Sequence, residues 1–156
     1  MAVDEKTYLS REKLEELKQE LEFLKTEKRK EVAESLEYAR SLGDLSENAE
    51  YQEAGKLQAE VEDRIAAIES MLRRAVIVSD YKGKTVHIGS TIVVKKEGDH
   101  EERTYHIVGS EEANMAERKI SNKSPLGEAL LGKEKGDIFS FKTPNGEVTY
   151  KIIKIE

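Results

Sequence analysis

The chain has no cysteine and no tryptophan, only two prolines, and aromatic residues at 6%. Without cysteine there is neither a disulfide framework nor a thiolate zinc site. No apolar run nears the roughly 20 residues that a membrane span requires. The opening "MAVDEKTYLS" lacks the basic start and apolar middle of a secretory signal. The expectation is a cytoplasmic, soluble protein with no membrane partner. What is abundant is charge, at 37% of 156 residues. That balance, with so few aromatics, favours long solvated helices over one large core.

The charge is uneven. Residues 1–74 carry 13 Lys and Arg against 19 Asp and Glu, whereas residues 75–156 carry 13 of each, so the whole net charge of −6 resides in the first half. Such a surface is ill suited to wrapping a nucleic-acid backbone, which relies on Lys and Arg. It does not prevent action near nucleic acid that another protein holds.

The two halves also differ in period. From Ser10 to about Leu42 the apolar residues Leu14, Leu17, Leu21, Leu24, Val32, Leu36 and Ala39 follow helical spacing. Ser10 stands as N-cap, with Leu9 and Leu14 at the staple positions around it. From Leu45 to about Arg74 the pattern resumes through Ala49, Ala54, Leu57, Val61, Ile65, Ile68 and Leu72. Gly55 is a weak point in that helix. The two stripes mirror each other: Leu14 with Leu72, Leu17 with Ile68, Leu21 with Ile65, Leu24 with Val61 and Val32 with Ala54 are all centred on Gly43. The spacing therefore predicts an antiparallel helical hairpin turning at Gly43. Its arms are about 45 Å long at 1.5 Å per residue. The seam is narrow, with polar positions near Lys28, which makes this the less stable half.

After Arg74 the period becomes that of strands. "TVHIGSTIVV", "RTYHIVG", "DIFSFK" and "EVTYKIIKI" alternate or are rich in β-branched residues. Asn145-Gly146 in "TPNGEV" marks a hairpin. "SPLGEALLGK" reads as a short helix capped by Ser124, with Pro125 in its first turn and Gly132 at its end. The predicted class is α+β: a helical hairpin over 1–75, a linker over 76–84, and an antiparallel sheet with one short helix over 85–156.

The turn raises the functional question. "GDLSENAEYQEA" crowds Asp44, Glu47 and Glu50 onto one side of a helix start. Asp44 and Glu47 fit a capping box and also suit a positive helix end. Two carboxylates at the end of a long hairpin fit a second role as well. Mg²⁺ accepts one or two protein carboxylates and keeps its waters, so such a tip would hold the ion weakly and complete a shell begun elsewhere. His87, His100 and His106 lack metal-ligand spacing.

"GDLSENAEY", with "SPLGEALLGKEKGD" and "TPNGEVTYKIIKIE", resembles the Gre family of bacterial transcript-cleavage factors. The resemblance runs over essentially the whole chain. It implies an N-terminal antiparallel coiled coil joined to an FKBP-like C-terminal domain. It further implies that the globular domain docks on RNA polymerase at the mouth of its secondary channel, and that the coil passes down the channel. There Asp44 and Glu47 would steady the second, weakly held Mg²⁺ against the extruded RNA 3′ end, so that the polymerase cleaves its own backtracked transcript. Tyr51 would support the tip, and Arg40 would meet an RNA phosphate. Ser124, Pro125 and Leu126 would grip the polymerase, although their types also fit plain capping and packing. Where family members commonly carry a basic residue this chain has Gly55, from which the resemblance implies removal of short fragments more than long ones. No tightly bound cofactor, no turnover without polymerase and a monomer in free solution are expected. A channel-binding regulator without cleavage activity is the rival reading; inhibitors of that kind would be expected to alter the tip acids, and both are present. A prolyl isomerase would need an apolar, aromatic-lined pocket, for which the aromatics of residues 75–156 are few and sit mostly at alternating strand positions.

Overall fold

The computed structural model describes residues 5–43 and 48–156. It divides into two compact units, one over Leu14–Arg74 and the other over the N-terminal residues up to Lys13 together with Ala75–Glu156.

The helical unit is the antiparallel hairpin the periodicity predicts. Helix α1 (Arg11–Phe23) continues through a π-helical turn (Leu24–Lys28) into α2 (Arg29–Ser41), and α3 (Ala49–Arg73) returns. Val32, Val61 and Ile65 are buried together, with Leu21, Leu24, Leu36 and Leu57 packed against them. The π turn has a cause in the sequence. From Leu24 the seam positions run through Lys28, Val32 and Leu36 in successive steps of four, one residue more than the alternating three-and-four rhythm allows. A wider turn absorbs the extra residue and returns the apolar stripe to the seam. Thr26 Oγ1 donates to the Glu22 carbonyl oxygen at 2.7 Å in the same stretch. Two two-point ion pairs join the arms: Arg29 with Glu62 and Arg64 with Glu20.

Helix α2 ends at Ser41, two residues before the expected turning point, and α3 begins at Ala49. Gly43 does have a positive φ of 127°, a conformation that glycine adopts without steric cost. The second helix starts four residues later than the sequence pattern implies.

The first residues do not belong to the hairpin, contrary to the 1–75 boundary. Strand β1 (Thr7–Leu9) pairs in parallel with β2 (Ala75–Ile77), and Leu9 is fully buried. Ser10 then caps α1, accepting from the Lys13 amide at 3.1 Å, while Glu112 accepts from the Ser10 amide at 2.9 Å and from its hydroxyl at 2.6 Å.

The main sheet has five strands: β3 (Thr91–Lys96), β4 (Glu102–Val108), β5 (Lys119–Ser121), β6 (Ile138–Thr143) and β7 (Gly146–Ile155), in the order β5-β4-β3-β7-β6. It is not wholly antiparallel, because β4 and β5 run parallel. Val86, Ile92, Ile107, Leu130 and Ile152 are fully buried at its centre. Phe139, Phe141 and Tyr150 stack on one another, with centroids 5.7–6.3 Å apart. The β6–β7 hairpin also departs from the Asn145-Gly146 reading. Thr143 pairs with Gly146, so Pro144 and Asn145 form the loop and Gly146 takes the positive φ of 117° after it. Proline at the second position and glycine at the fourth belong to a type I turn followed by a left-handed residue.

Candidate functional site

The proposed tip acids, Asp44 and Glu47, lie outside the described residues. The residues on either side are described, and they decide how the second helix starts. Its N-cap is Asn48, extended at φ −83° and ψ 102°. Asn48 Oδ1 accepts from the Tyr51 amide at 3.1 Å, and the Asn48 carbonyl accepts from the Gln52 amide at 3.0 Å. Asn48 thus caps the helix, the role for which the sequence pattern also suits Asp44 and Glu47. Asparagine ranks with aspartate and serine as an N-cap, and with Ser46 and Asp44 close by, sequence alone offers several starting points.

Tyr51, half-buried in the first turn of α3, and Glu50, exposed beside it, stand where the tip begins its return. Arg40 is exposed in the last turn of α2, one turn before Gly43. Beside a helix C-terminus a cation is favoured. Gly55 lies in α3 with open space where a side chain would be. No helical backbone there needs glycine.

In the second unit, α4 (Pro125–Leu130) carries the predicted docking residues. Ser124 caps it, accepting from the Gly127 amide at 3.1 Å and donating to the Ser121 carbonyl at 2.7 Å. Pro125 is exposed, and Leu126 is half-buried against the sheet core. Of the three, Pro125 alone offers an uncommitted apolar surface. Gly127 lets α4 lie against β5, since a Cβ there would collide with the Ser121 carbonyl oxygen. Sequence reading missed a neighbour: Met115, 63% exposed, lines a shallow cleft of about 200 Å³ with Ala113, Asn114, Ile120 and Ser124. It stands nine positions before Ser124 in the chain, and nothing in its local pattern announces that the two line one cleft.

Among the described residues no group of three or more His, Cys, Asp or Glu gathers to hold an ion. The donor chemistry of Asp44 and Glu47, two carboxylates, fits a hard cation held weakly and shared with another protein. Two of the three histidines are otherwise engaged: His87 stacks on Tyr81 at 4.3 Å, and His106 Nδ1 lies 2.9 Å from Thr91 Oγ1. Among the described residues no helix is long and apolar enough to cross a membrane.

Comparison with known proteins agrees with the architecture half by half. The family described as "Transcription elongation factor, N-terminal" matches residues 7–77. That described as "Transcription elongation factor, GreA/GreB, C-term" matches residues 81–156. The chain is 50% identical to transcription elongation factor GreA of Thermoanaerobacter pseudethanolicus, over 94% of this chain and 95% of that protein. It is 46% identical to GreA of Clostridium acetobutylicum over the full length of both. Among solved structures, GreA factor homolog 1 of Thermus thermophilus is 30% identical, covering 97% of this chain and 99% of that one, with a TM-score of 0.44. The chain belongs to the GreA/GreB family of transcription elongation factors.

Proposed function

We propose that this protein is a cofactor of bacterial RNA polymerase that stimulates the polymerase's own cleavage of backtracked RNA. It has no turnover alone. The second unit docks at the mouth of the secondary channel, with Pro125 and Met115 as the apolar contacts beside α4. The hairpin enters the channel and presents Asp44 and Glu47 to the active centre. The observation that supports this reading is the start of α3: because Asn48 caps it, neither acid is needed to begin the helix.

In the assembled complex Asp44 and Glu47 would hold Mg²⁺ jointly with the polymerase. The bound ion supplies the charge that activates water and steadies the leaving oxygen in phosphodiester hydrolysis. The chain's part is to deliver two negative charges to one point and to hold them there. Arg40 contacts a phosphate of the extruded RNA, and Tyr51 packs beside the RNA end. A channel-binding regulator would need no acids at this point, and the sequence keeps both.

The test is a backtracked elongation complex with labelled RNA, supplied with Mg²⁺ and the protein. Short 3′-terminal fragments, followed by renewed extension, are the expected result. An unchanged transcript with the protein bound would overturn cleavage stimulation and favour the regulator.

A further inference from the structure

The Asn48 side chain does more than start a helix. While Oδ1 accepts from the Tyr51 amide at 3.1 Å, Nδ2 donates to the Ala39 carbonyl oxygen at 2.5 Å. Ala39 lies in the last turn of α2, where carbonyls lack helical partners. It is 1% exposed, so water has little access to the residue. Its oxygen also accepts from the Leu42 amide at 3.1 Å, which leaves both of its acceptor positions used. One side-chain amide therefore ties the end of α2 to the beginning of α3. The ring it closes encloses residues 40–47, the segment that carries Asp44 and Glu47.

Asparagine is the N-cap type that can do both jobs at once. Its acceptor and its donor are separate atoms on one short, planar group. Aspartate caps equally well but has no proton to donate. Serine also caps, but its single oxygen must serve both partners from a shorter side chain.

We propose that Asn48 is a positioning residue for the tip, acting through this second bond. The clamp fixes both ends of the segment before polymerase is met, so that the two acids arrive as a pair and less order remains to be imposed on binding. The proposal rests on the tip reading above. It adds that the bond to Ala39, distinct from the cap, sets how readily the acids share a cation with the polymerase.

Capping and clamping are separated by Asn48→Asp and Asn48→Ser, both good N-caps that lose the bridging donor. Mg²⁺ is titrated in the cleavage assay on backtracked complexes, alongside thermal melting of the free protein, competition for polymerase, and ¹⁵N order parameters at the Gly43 and Asn48 amides. The clamp predicts unchanged polymerase affinity, lower order parameters, and melting lowered by no more than the few degrees that one hydrogen bond accounts for. It also predicts a Mg²⁺ requirement raised about three- to tenfold, the scale of one net hydrogen bond, with cleavage restored at high Mg²⁺. The added carboxylate in Asn48→Asp would by itself lower that requirement, so an increase in this variant is the stricter sign. Wild-type Mg²⁺ dependence in both variants overturns the clamp, as does a loss of rate that merely follows a loss of melting temperature. Asp44→Asn and Glu47→Gln run in the same assay keep the two ideas apart. If they cleave normally, the tip reading fails. If they are inactive while the Asn48 variants match wild type, the clamp alone fails.

Discussion

Arg29 and Glu62 meet across the helical hairpin in a two-point ion pair, Nε to Oε1 and Nη2 to Oε2, each at 2.8 Å. They sit just past the π turn, where Lys28 interrupts the apolar seam. The pair thus joins the two arms beside the buried Val32, Val61 and Ile65. Hydrogen bonding from Arg29, ahead of the two residues' charge attraction, holds the Glu62 carboxyl below its ordinary range.

That shift gives the hairpin a pH dependence of known sign. Glu62 is depressed in the folded state, so its contribution is complete above the ordinary carboxylate pKa and is lost as pH falls through the folded value. Helical melts recorded as pH drops from about 5 to about 3 should show falling stability, and Glu62→Gln should flatten part of that slope. The effect should be small and should shrink in salt, because both partners are exposed.

Gly55→Ala should stabilise the hairpin. The residue has helical neighbours on both sides and open space at its Cβ position. The gain should be about 0.5–1 kcal/mol, read as a higher melting temperature of the helical signal. Cleavage should be unaffected, since alanine brings no charge to the RNA.

Gly127→Ala should do the opposite in the second unit. Its Cβ would meet backbone, the Ser121 carbonyl oxygen, which cannot swing aside as a side chain does. A loss of about 1–3 kcal/mol or more is expected. Thermal unfolding measures it, and weaker polymerase binding should accompany it because α4 is displaced.

Pro125→Glu and Met115→Glu place charge on the exposed apolar rim beside α4 without touching the buried core. Both should fold and melt as wild type does. Competition binding should show weaker attachment to polymerase, and raising the protein concentration should restore cleavage.

Much of this was legible beforehand because it depends on period. The mirrored stripes specify two antiparallel helices, and Val32, Val61 and Ile65 are buried as those stripes require. Ser10 and Ser124 are caps in the structure as in the sequence. What escaped reading depends on contacts between distant residues or on competition among equivalents. Strand β1 is three residues long and takes its identity from β2, nearly seventy positions away. The start of α3 was ambiguous because Asp44, Ser46 and Asn48 are all cap formers; Asn48 alone has an amide that reaches Ala39. The Asn145-Gly146 pair suggested a loop of those two residues, but Pro144 would then close the ladder and has no N–H for that pairing, so Thr143 pairs with Gly146 instead.

The most direct measurement is cleavage of backtracked RNA by polymerase with the Asp44→Asn and Glu47→Gln variants, with bound protein quantified in the same samples. Removing one charge from the tip while keeping its shape should abolish stimulated cleavage and leave attachment to polymerase at the wild-type level. Full cleavage by either variant, at wild-type occupancy and the same Mg²⁺, would contradict the assignment of that acid to the shared ion.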